Sequence, residues 1–416
     1  MREIGSPRAH AAHHRCKVHL GRHRHAGREL RFRRAVVATG GRPSVPPVEG
    51  LSDIPYLTSE NIFEITEQPL SLLIIGGGSI GCEMAQAFAL LGTTVTLIEA
   101  GPRLLPREDA DASDIIARRL ERDGMRIVMG ATIMRVGRSG GGVMVQVTPG
   151  LAARRYGGVK NVDNAGDADS PNSAIGVNSA NKADRAETAG YPYKVAVTEV
   201  VGDALLVATG RSPNVAGLNL ECAGVRHGAD GLDVDDRLRS SNRRIYAAGD
   251  VCSPFQFTHA ADAMARIVIQ NALFHGRRRA SALVIPWSTY TFPEVAHVGL
   301  TPAEAAQAGG EPITVPLTDV DRAVIDGEAD GFLRVHHQGG RIIAATLVAP
   351  RAGELIGYIA SVMRRRGSLG DLSNEIFPYP TLADALRKAG DAYRRTRLTP
   401  RVRSMLRRYF ALVRSM

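Results

Sequence analysis

Residues 72–99 read LLIIGGGSIGCEMAQAFALLGTTVTLIE, and this stretch decides the fold. An apolar run enters three glycines, a helix-like segment follows, and a second apolar run ends in an acid. This order is typical of the strand, glycine turn, helix and strand of a dinucleotide-binding unit. We predict that Gly76 permits the tight turn, Gly78 admits a pyrophosphate, and Gly81 lets the helix pack on the sheet. Glu99, about twenty residues on, is placed to accept a ribose 2′-hydroxyl.

The same acid predicts which nicotinamide cofactor is preferred. A carboxylate at Glu99 repels a 2′-phosphate, so we expect NADH to be favoured over NADPH. Arg103 and Arg107 lie just beyond it, and their positive charge would soften this preference. A glycine turn alone is a weak signal, but here two apolar runs, a helix and an acid accompany it.

The composition is that of a globular protein with two or three domains. The chain has 416 residues, of which 44% are hydrophobic. No run approaches the roughly 18–20 apolar residues of a membrane span, and the N-terminus has no apolar signal core. The four cysteines form no CxxC or CxxxxC pair, so we predict neither a disulfide framework nor a metal site. A reducing cytoplasm is the expected location.

The positive charge is concentrated at the two ends. The formal net charge is +10, but residues 1–34 carry +8 and residues 387–416 carry +9, which leaves about −7 on the part between them. A nucleic-acid-binding protein usually carries its positive charge as a patch on the folded body. We therefore expect no nucleic-acid partner.

Two segments have compositions that predict disorder. Residues 1–27 hold six of the twelve histidines, which fits either a metal-binding tract or a disordered tail, and we expect the tail. Residues 150–190 are rich in Gly, Asn, Asp, Ala and Ser, with few large apolar side chains. Such a segment cannot bury enough surface to order itself, so we predict a disordered insertion between two strands.

Three further strand endings stand out. The pattern AVVATG at 35–40 is repeated as ALLVATG at 204–210, and each is a strand that enters a glycine turn. RIYAAGD at 244–250 is a strand that delivers Asp250 to its carboxyl end. In open α/β sheets, ligands bind at that edge.

At this point the chain resembles the pyridine nucleotide–disulfide oxidoreductases, a flavoprotein family that includes lipoamide dehydrogenase, glutathione reductase and mercuric reductase. The matching segments occur in the family's order: VVATGGRPSVPPVEGL (36–51), IIGGGSIGCEMAQAF (74–88), LLVATGRSPNV (205–215), RIYAAGDV (244–251), TYTFPEVAHVGLTPAEA (289–305) and FPYPTLADAL (377–386). Six ordered motifs are far more specific than one. The last of them is most similar to the mercuric reductase branch.

The resemblance implies an α/β fold, with a Rossmann-like NAD(P)-binding domain inserted in a partial FAD-binding α/β domain and followed by an α+β dimerisation domain. It also implies a homodimer. The boundaries we assign are 1–28 for the basic His/Arg-rich tail, 29–68 for the first remnant of the FAD-binding domain, 69–210 for the NAD(P)-binding domain, 211–280 for the second part of the FAD-binding domain, 283–400 for the dimerisation domain, and 401–416 for a basic amphipathic C-terminal helix.

The resemblance also implies cofactors and site residues. A hydride would pass from NAD(P)H to FAD, and on to a small-molecule or metal-ion acceptor that the sequence does not identify. Asp250 matches the acid that hydrogen-bonds the ribityl chain, and Glu83 matches the glutamate that pairs with a lysine beside the flavin ring. The other cofactor-binding residues assigned by this resemblance are Thr39, Gly40, Gly210 and His259.

The dimerisation domain of this family donates a residue across the interface to the partner's active site. Lipoamide dehydrogenase and glutathione reductase have a histidine there, with an acid five residues later, whereas this chain has Tyr379 and Asp384. A phenol with a pKa near 10 is a poor general base at neutral pH, so dithiol–disulfide exchange is disfavoured. The segment is instead similar to mercuric reductase, where a tyrosine helps to hold the metal thiolate. The alternative is that Tyr379 is an aromatic packing residue at the dimer interface.

The chain also departs from the family pattern. Upstream of Val36 there is neither a second GxGxxG nor a CxxxxC pair with a nearby lysine. The paired cysteines at the C-terminus of mercuric reductase are also missing, since the last cysteine is Cys252. These departures predict weak or no FAD binding by the chain as it stands. They leave three alternatives open: an oxidoreductase of the mercuric-reductase-like branch recorded in N-terminally truncated form, a catalytically impaired remnant that binds nucleotide or dimerises without redox chemistry, or a misread start over residues 1–27.

The C-terminal segment 400–416 is basic and amphipathic. It fits either a helix that lies on a membrane surface or a helix that packs on the dimer, and we expect the second.

Overall fold

We describe residues 32–148 and 197–414 of a computed structural model of the chain. The predicted tail at 1–28 and the predicted insertion at 150–190 lie outside the described residues. The strands are β1 Ala35–Val37, β2 Gly41–Pro43, β3 Ser71–Ile75, β4 Thr94–Glu99, β5 Arg126–Met129, β6 Thr132–Ser139, β7 Gly142–Thr148, β8 Thr198–Gly202, β9 Ala204–Val207, β10 Arg211–Pro213, β11 His227–Gly228, β12 Gly231–Leu232, β13 Ile245–Ala247, β14 Pro286–Thr289, β15 Glu294–Gly299, β16 Glu311–Pro316, β17 Phe332–Gln338 and β18 Arg341–Ala349. The helices are α1 Ser79–Leu90, α2 Ala110–Arg122, α3 Thr258–Leu273, α4 Pro302–Gln307, α5 Asp321–Ile325, α6 Ala352–Arg364, α7 Leu369–Leu372, α8 Asp384–Thr396 and α9 Pro400–Arg414.

The dinucleotide-binding unit is a parallel sheet in the order β5-β4-β3-β9. Strand β3 is apolar along residues 72–75, all of which are buried, because the central strand of a parallel sheet is covered on both faces. Helices α1 and α2 supply buried side chains to the core of this unit. The strand, turn, helix and strand predicted from residues 72–99 are present.

The strands that directly follow the two ATG repeats, β2 and β10, pair with each other. Strand β1 pairs in parallel with β13, and β2 pairs antiparallel with β10. The segments before and after the nucleotide unit therefore join into one region, as expected when one domain is inserted into another.

The third region is an antiparallel sheet in the order β14-β15-β18-β17-β16. Its core includes apolar residues of α6, α7 and α8, so helices cover one face. This is the α+β arrangement predicted for residues 283–400.

Among the described residues, every helix is too short or too polar to cross a bilayer.

The sheet β14-β15-β18-β17-β16, called the dimerisation sheet here after the domain that the resemblance implies, packs directly on the dinucleotide-binding unit. Val295, Phe332 and Val348 of the sheet belong to the same apolar cluster as Leu72 and Ile74 of β3. A shared core of this kind resists separation of the two regions, since opening it would expose apolar surface to water.

A buried polar cluster lies beside that shared core. The Trp287 indole N–H donates to Glu108 Oε1 at 2.7 Å, and Arg334 pairs with Asp109 at 2.9 Å. Both contacts join the loop before α2 to strands of the dimerisation sheet. The ring of His297 lies 4.5 Å from that of Trp287, and its Nε2–H donates to the carbonyl of Leu300.

Glu108 is the least satisfied member of the cluster. Among the described residues its Oε2 has no hydrogen-bond partner, and it lies 3.9 Å from His297 Nδ1. Burial, partly offset by the Trp287 hydrogen bond, raises the pKa of Glu108 from 4.5 to about 7. Burial also lowers the pKa of His297 to about 4, so both groups favour their neutral forms.

Replacing Glu108 with Gln should change how stability depends on pH. Folded Glu108 holds its proton up to about pH 7, whereas the unfolded chain loses it near 4.5. The wild type therefore loses stability as pH rises through this window, by about 3 kcal/mol in all, and Glu108→Gln does not. We expect the free energy of unfolding of the variant, measured relative to that of the wild type, to increase between pH 4 and pH 8.

The measurement is denaturant unfolding followed by the fluorescence of Trp287, the single tryptophan of the chain. Glu121→Gln, on the exposed face of α2, is the matched control and should run parallel to the wild type. If the curve for Glu108→Gln also runs parallel to the wild type, Glu108 is not buried as a neutral acid.

Candidate functional site

The glycine turn between β3 and α1 is set by two close approaches. Gly76 has φ +109°, and a Cβ there would lie 2.5 Å from the carbonyl oxygen of Ala208. A Cβ on Gly81 would lie 1.8 Å from the carbonyl oxygen of Gly76. Only glycine fits either position, so α1 is seated directly against the end of the strand. This geometry is the one that the predicted roles of both glycines require.

Gly78 differs from these two because the space in front of it is open. Its φ is −76°, and no atom lies within 4 Å of the position that a Cβ would take. No side chain caps the N-terminus of α1, which begins at the next residue. Unpaired N–H groups and the positive end of the helix dipole therefore face this space, which suits a phosphate group.

Glu99 lies at the end of β4, against the turn. Its Oε2 accepts the N–H of Gly77 and its Oε1 accepts the N–H of Gly101, both at 2.5 Å. The N–H of Leu105 in turn donates to the carbonyl of Gly77, so the loop after β4 wraps around the turn. Each carboxylate oxygen keeps a second lone pair for a ribose hydroxyl.

A second group of predicted residues gathers around Asp250, just after β13. Arg211 donates to Asp250 Oδ2 from Nε at 3.2 Å and to the carbonyl of Gly41 from Nη2 at 2.8 Å. Thr39 donates to the carbonyl of Asn214 at 2.7 Å, and the Asn214 amide donates back to the carbonyl of Thr39 at 3.0 Å. These contacts hold the two ATG turns together beside the acid.

The two glycines of these turns take backbone conformations that other residues avoid. Gly40 has φ +68° and Gly210 has φ +109°, and a Cβ on either would meet open space. Both turns therefore leave room for a ligand at the carboxyl edge of the strands.

The donor set around Asp250 fits one end of a flavin dinucleotide. A carboxylate held by an arginine can accept hydrogen bonds from ribityl hydroxyls. Within residues 32–148 and 197–414, however, the pattern GxGxxG occurs once, at 76–81. The described residues thus fit the ribityl end of FAD but offer no second glycine turn for its pyrophosphate.

Helix α1 also contacts the dimerisation region through one of its faces. The hydroxyls of Thr289 and Ser79 hydrogen-bond at 2.8 Å, and Glu83 Oε1 accepts the N–H of Tyr290 at 2.8 Å. Burial raises the pKa of Glu83. The sole lysine in the described part of the chain is Lys388, and it pairs with Asp384 at 3.4 Å rather than with Glu83, so the lysine partner that the resemblance implies for Glu83 is not found among these residues.

His259 lies in the first turn of α3. Its ring is stacked on that of Phe257, with 5.5 Å between the centroids, and its Nε2 hydrogen-bonds the carbonyl of Pro286 at 2.7 Å. It therefore joins the helix beside the flavin region to the start of the dimerisation sheet.

Tyr379 and Asp384, which are predicted to act together, have different partners within the chain. The hydroxyl of Tyr379 donates to the carboxylate of Asp321, and this hydrogen bond raises the pKa of the phenol. Tyr379 is 73% exposed. Asp384 is buried and forms ion pairs with Arg387 at 2.7 Å and with Lys388 at 3.4 Å. Their catalytic roles stay predictions.

Sequence reasoning missed the partners that position these groups. Arg211 and Asn214 directly follow the second ATG repeat, and their place in that motif is a signal that could have identified them. Asp321 lies 58 residues before Tyr379, and nothing in the local pattern around it indicates the contact.

Two of the three cysteines in the described residues have thiols whose pKa is raised by burial. Cys82 is fully buried in α1, and burial raises the pKa of its thiol strongly. Burial raises the pKa of Cys252 to about 12. Within the described residues, no group of three or more His, Cys, Asp or Glu side chains is arranged to hold a metal ion.

Comparisons with known proteins agree with this architecture. Residues 3–265 match the model of the pyridine nucleotide-disulphide oxidoreductases, and residues 285–390 match the dimerisation domain of that family. The mercuric reductase of Staphylococcus aureus is 32% identical over 369 residues, which are 87% of this chain and 59% of that protein. The chain therefore spans little more than half the length of that relative.

Two solved structures have the same fold. The Cu(II) complex of RclA, an HOCl-induced flavoprotein disulfide reductase from Escherichia coli, has a TM-score of 0.68 and 27% identity, with 85% of this chain and 73% of that chain covered. LpdA from Mycobacterium tuberculosis has a TM-score of 0.69 and 26% identity, with 86% and 69% covered. With a family model that matches well over half of its residues, the chain belongs to the pyridine nucleotide-disulphide oxidoreductase family.

Proposed function

We propose that this chain is an FAD-dependent NAD(P)H oxidoreductase that resembles mercuric reductase. The observation that carries the proposal is the continuity of segment 208–214. Its first residue, Ala208, packs on the turn at Gly76, and three residues later Arg211 holds Asp250. One short segment thus borders both the nucleotide turn and the acid suited to a flavin, which suits a reaction between two adjacent cofactors.

The protein's own groups bind and orient the two cofactors. The N–H groups at the start of α1 hold a pyrophosphate, Glu99 accepts the ribose hydroxyl, and Asp250 accepts the ribityl hydroxyls. The chemistry that a bound flavin would supply there is acceptance of a hydride from the nicotinamide and transfer of electrons to an acceptor. Glu83 holds the backbone of Tyr290 and thereby keeps the dimerisation region against α1.

We further propose a homodimer in which Tyr379 faces the partner's site. Three facts support this assembly: residues 285–390 match a dimerisation domain, Tyr379 lies inside that range, and its side chain is largely exposed in the single chain. A metal ion is the acceptor we favour, because the relatives include mercuric reductases and RclA has been solved with Cu(II). A phenol beside the carboxylate of Asp321 offers oxygen ligands rather than a general base.

The first test is turnover as a function of added flavin. Because a second phosphate turn is not among the described residues, we expect the purified chain to be weakly coloured, and NADH oxidation with Hg(II) to rise with added FAD until it saturates. A stoichiometric flavin spectrum without added FAD would show that the predicted weak binding is wrong. If NADH binds but no acceptor is reduced at saturating FAD, the oxidoreductase proposal fails and a nucleotide-binding protein without redox activity remains.

The second test separates nucleotide binding from folding. Gly78→Ala places a methyl group in open space at a permitted φ, so the fold should be retained, but the methyl occupies the room proposed for the pyrophosphate. We expect NADH to bind about tenfold or more weakly, which corresponds to about 1.4 kcal/mol or more. Titration of NADH against the quenching of Trp287 fluorescence measures it.

Gly141→Ala is the matched control, since a Cβ there also meets open space, in the turn between β6 and β7. Its NADH affinity should equal that of the wild type. Equal NADH affinities for the wild type, Gly78→Ala and Gly141→Ala would show that the turn at 76–81 does not bind the phosphate group.

The third test concerns cofactor preference. We expect the wild type to bind NADH more tightly than NADPH, because the carboxylate of Glu99 repels a 2′-phosphate. Glu99→Gln removes that charge and should shift the ratio of the two dissociation constants toward NADPH by roughly tenfold, since the repulsion of two nearby surface charges is about 1–2 kcal/mol. Glu121→Gln serves as control. A wild type that binds NADPH more tightly would contradict the assignment.

A further inference from the structure

The last helix of the described chain separates its apolar and basic residues completely. At about 100° per residue, the large apolar side chains of α9 fall within an arc of about 160°. The residues on this arc, the apolar face, are Val402, Met405, Leu406, Tyr409, Phe410, Leu412 and Val413. The opposite arc carries every arginine of the helix: Arg401, Arg403, Arg407, Arg408 and Arg414.

The charge of this helix has one sign. Asp391 is the last acidic residue of the chain, so α9 carries five positive charges and no negative one. Arg401 and Arg408 border one edge of the apolar face, and Arg403 borders the other. A guanidinium group can bind a phosphate group through two parallel hydrogen bonds, which a lysine ammonium cannot do.

Most of the apolar face is exposed in the structure of residues 32–148 and 197–414. No residue of α9 is buried, and Met405, Tyr409 and Phe410 are each more than half exposed. The match to the family's dimerisation domain ends at residue 390, ten residues before the helix begins. The expectation that α9 packs on the dimer therefore gains no support from the part of the chain that matches that domain.

We propose that α9 is a surface anchor that lies flat on an anionic phospholipid membrane. Its apolar face would enter the boundary between headgroups and acyl chains, and the arginines along both edges would bind lipid phosphates. A wide apolar face with Tyr, Phe and Leu, bordered by basic residues, is the composition of interfacial helices. A second α9 fits the face less well, since pairing two such helices brings their arginine rows together.

The test is flotation of the purified full chain with two kinds of vesicle, phosphatidylcholine alone and phosphatidylcholine mixed with phosphatidylglycerol. We expect binding to the anionic vesicles only, with a loss of about tenfold or more when salt rises from roughly 50 to 500 mM, because salt screens the arginines. Tyr409→Asp puts a charge at the centre of the apolar face and should abolish flotation. Ala411→Asp puts the same charge two residues away on the basic arc and should retain most of it.

The mass in solution, from light scattering, completes the test. Failure of the wild type to float, or equal flotation of Tyr409→Asp and Ala411→Asp, would overturn the proposal. A lower mass for Tyr409→Asp alone would overturn it too, since the face would then be covered by a second copy. Flotation requires neither cofactor nor turnover, so its outcome is independent of the proposed enzymatic function.

Discussion

The close approach of Gly81 to the carbonyl of Gly76 is the constraint on which the rest of the site depends. Because there is no room for even a methyl group between them, α1 is seated against the end of β3 in one position. Its N-terminus then faces the open space beside Gly78. A larger residue at position 81 would lift the helix and remove both the phosphate-facing N–H groups and the contacts that follow along it.

Those further contacts lie on one face of α1. Ser79, Glu83 and Gln86 are spaced at about one and two turns, and they bond the last residue of β14 and two residues of the connection between β14 and β15. The hydroxyls of Ser79 and Thr289 share a hydrogen bond, Glu83 accepts from the backbone of Tyr290, and Gln86 both accepts from and donates to the backbone of Phe292. The position of α1 thus also sets the position of the dimerisation region. Glu83, assigned to the flavin by resemblance, has this structural task within the chain.

The sequence alone was sufficient wherever the signal is local. The buried run of β3, the glycines of the turn and the acid at the end of β4 lie within 28 residues, and each has a fixed place in one pattern. The repeated ATG endings were also visible, although their pairing through Arg211 and Asn214 was not. Contacts across long separations left no such trace, because a partner more than 50 residues away is chosen by the tertiary fold. Tyr379 bonds Asp321 rather than the nearby Asp384, and Trp287 bonds Glu108, 179 residues before it.

The buried acid at Glu108 shows what this long-range packing costs. Burying a carboxyl group is unfavourable unless it is neutral or fully hydrogen-bonded, and one oxygen of Glu108 has no partner among the described residues. The loop that carries it also supplies Leu105, whose N–H bonds the glycine turn, and Asp109, which pairs with Arg334 of the dimerisation sheet. A proton on Glu108 therefore stabilises a loop that touches both the nucleotide turn and the neighbouring region. Since linkage is reciprocal, a ligand that bound only to the packed form of this loop would also favour the protonated acid, and nucleotide affinity would then depend on the charge of Glu108.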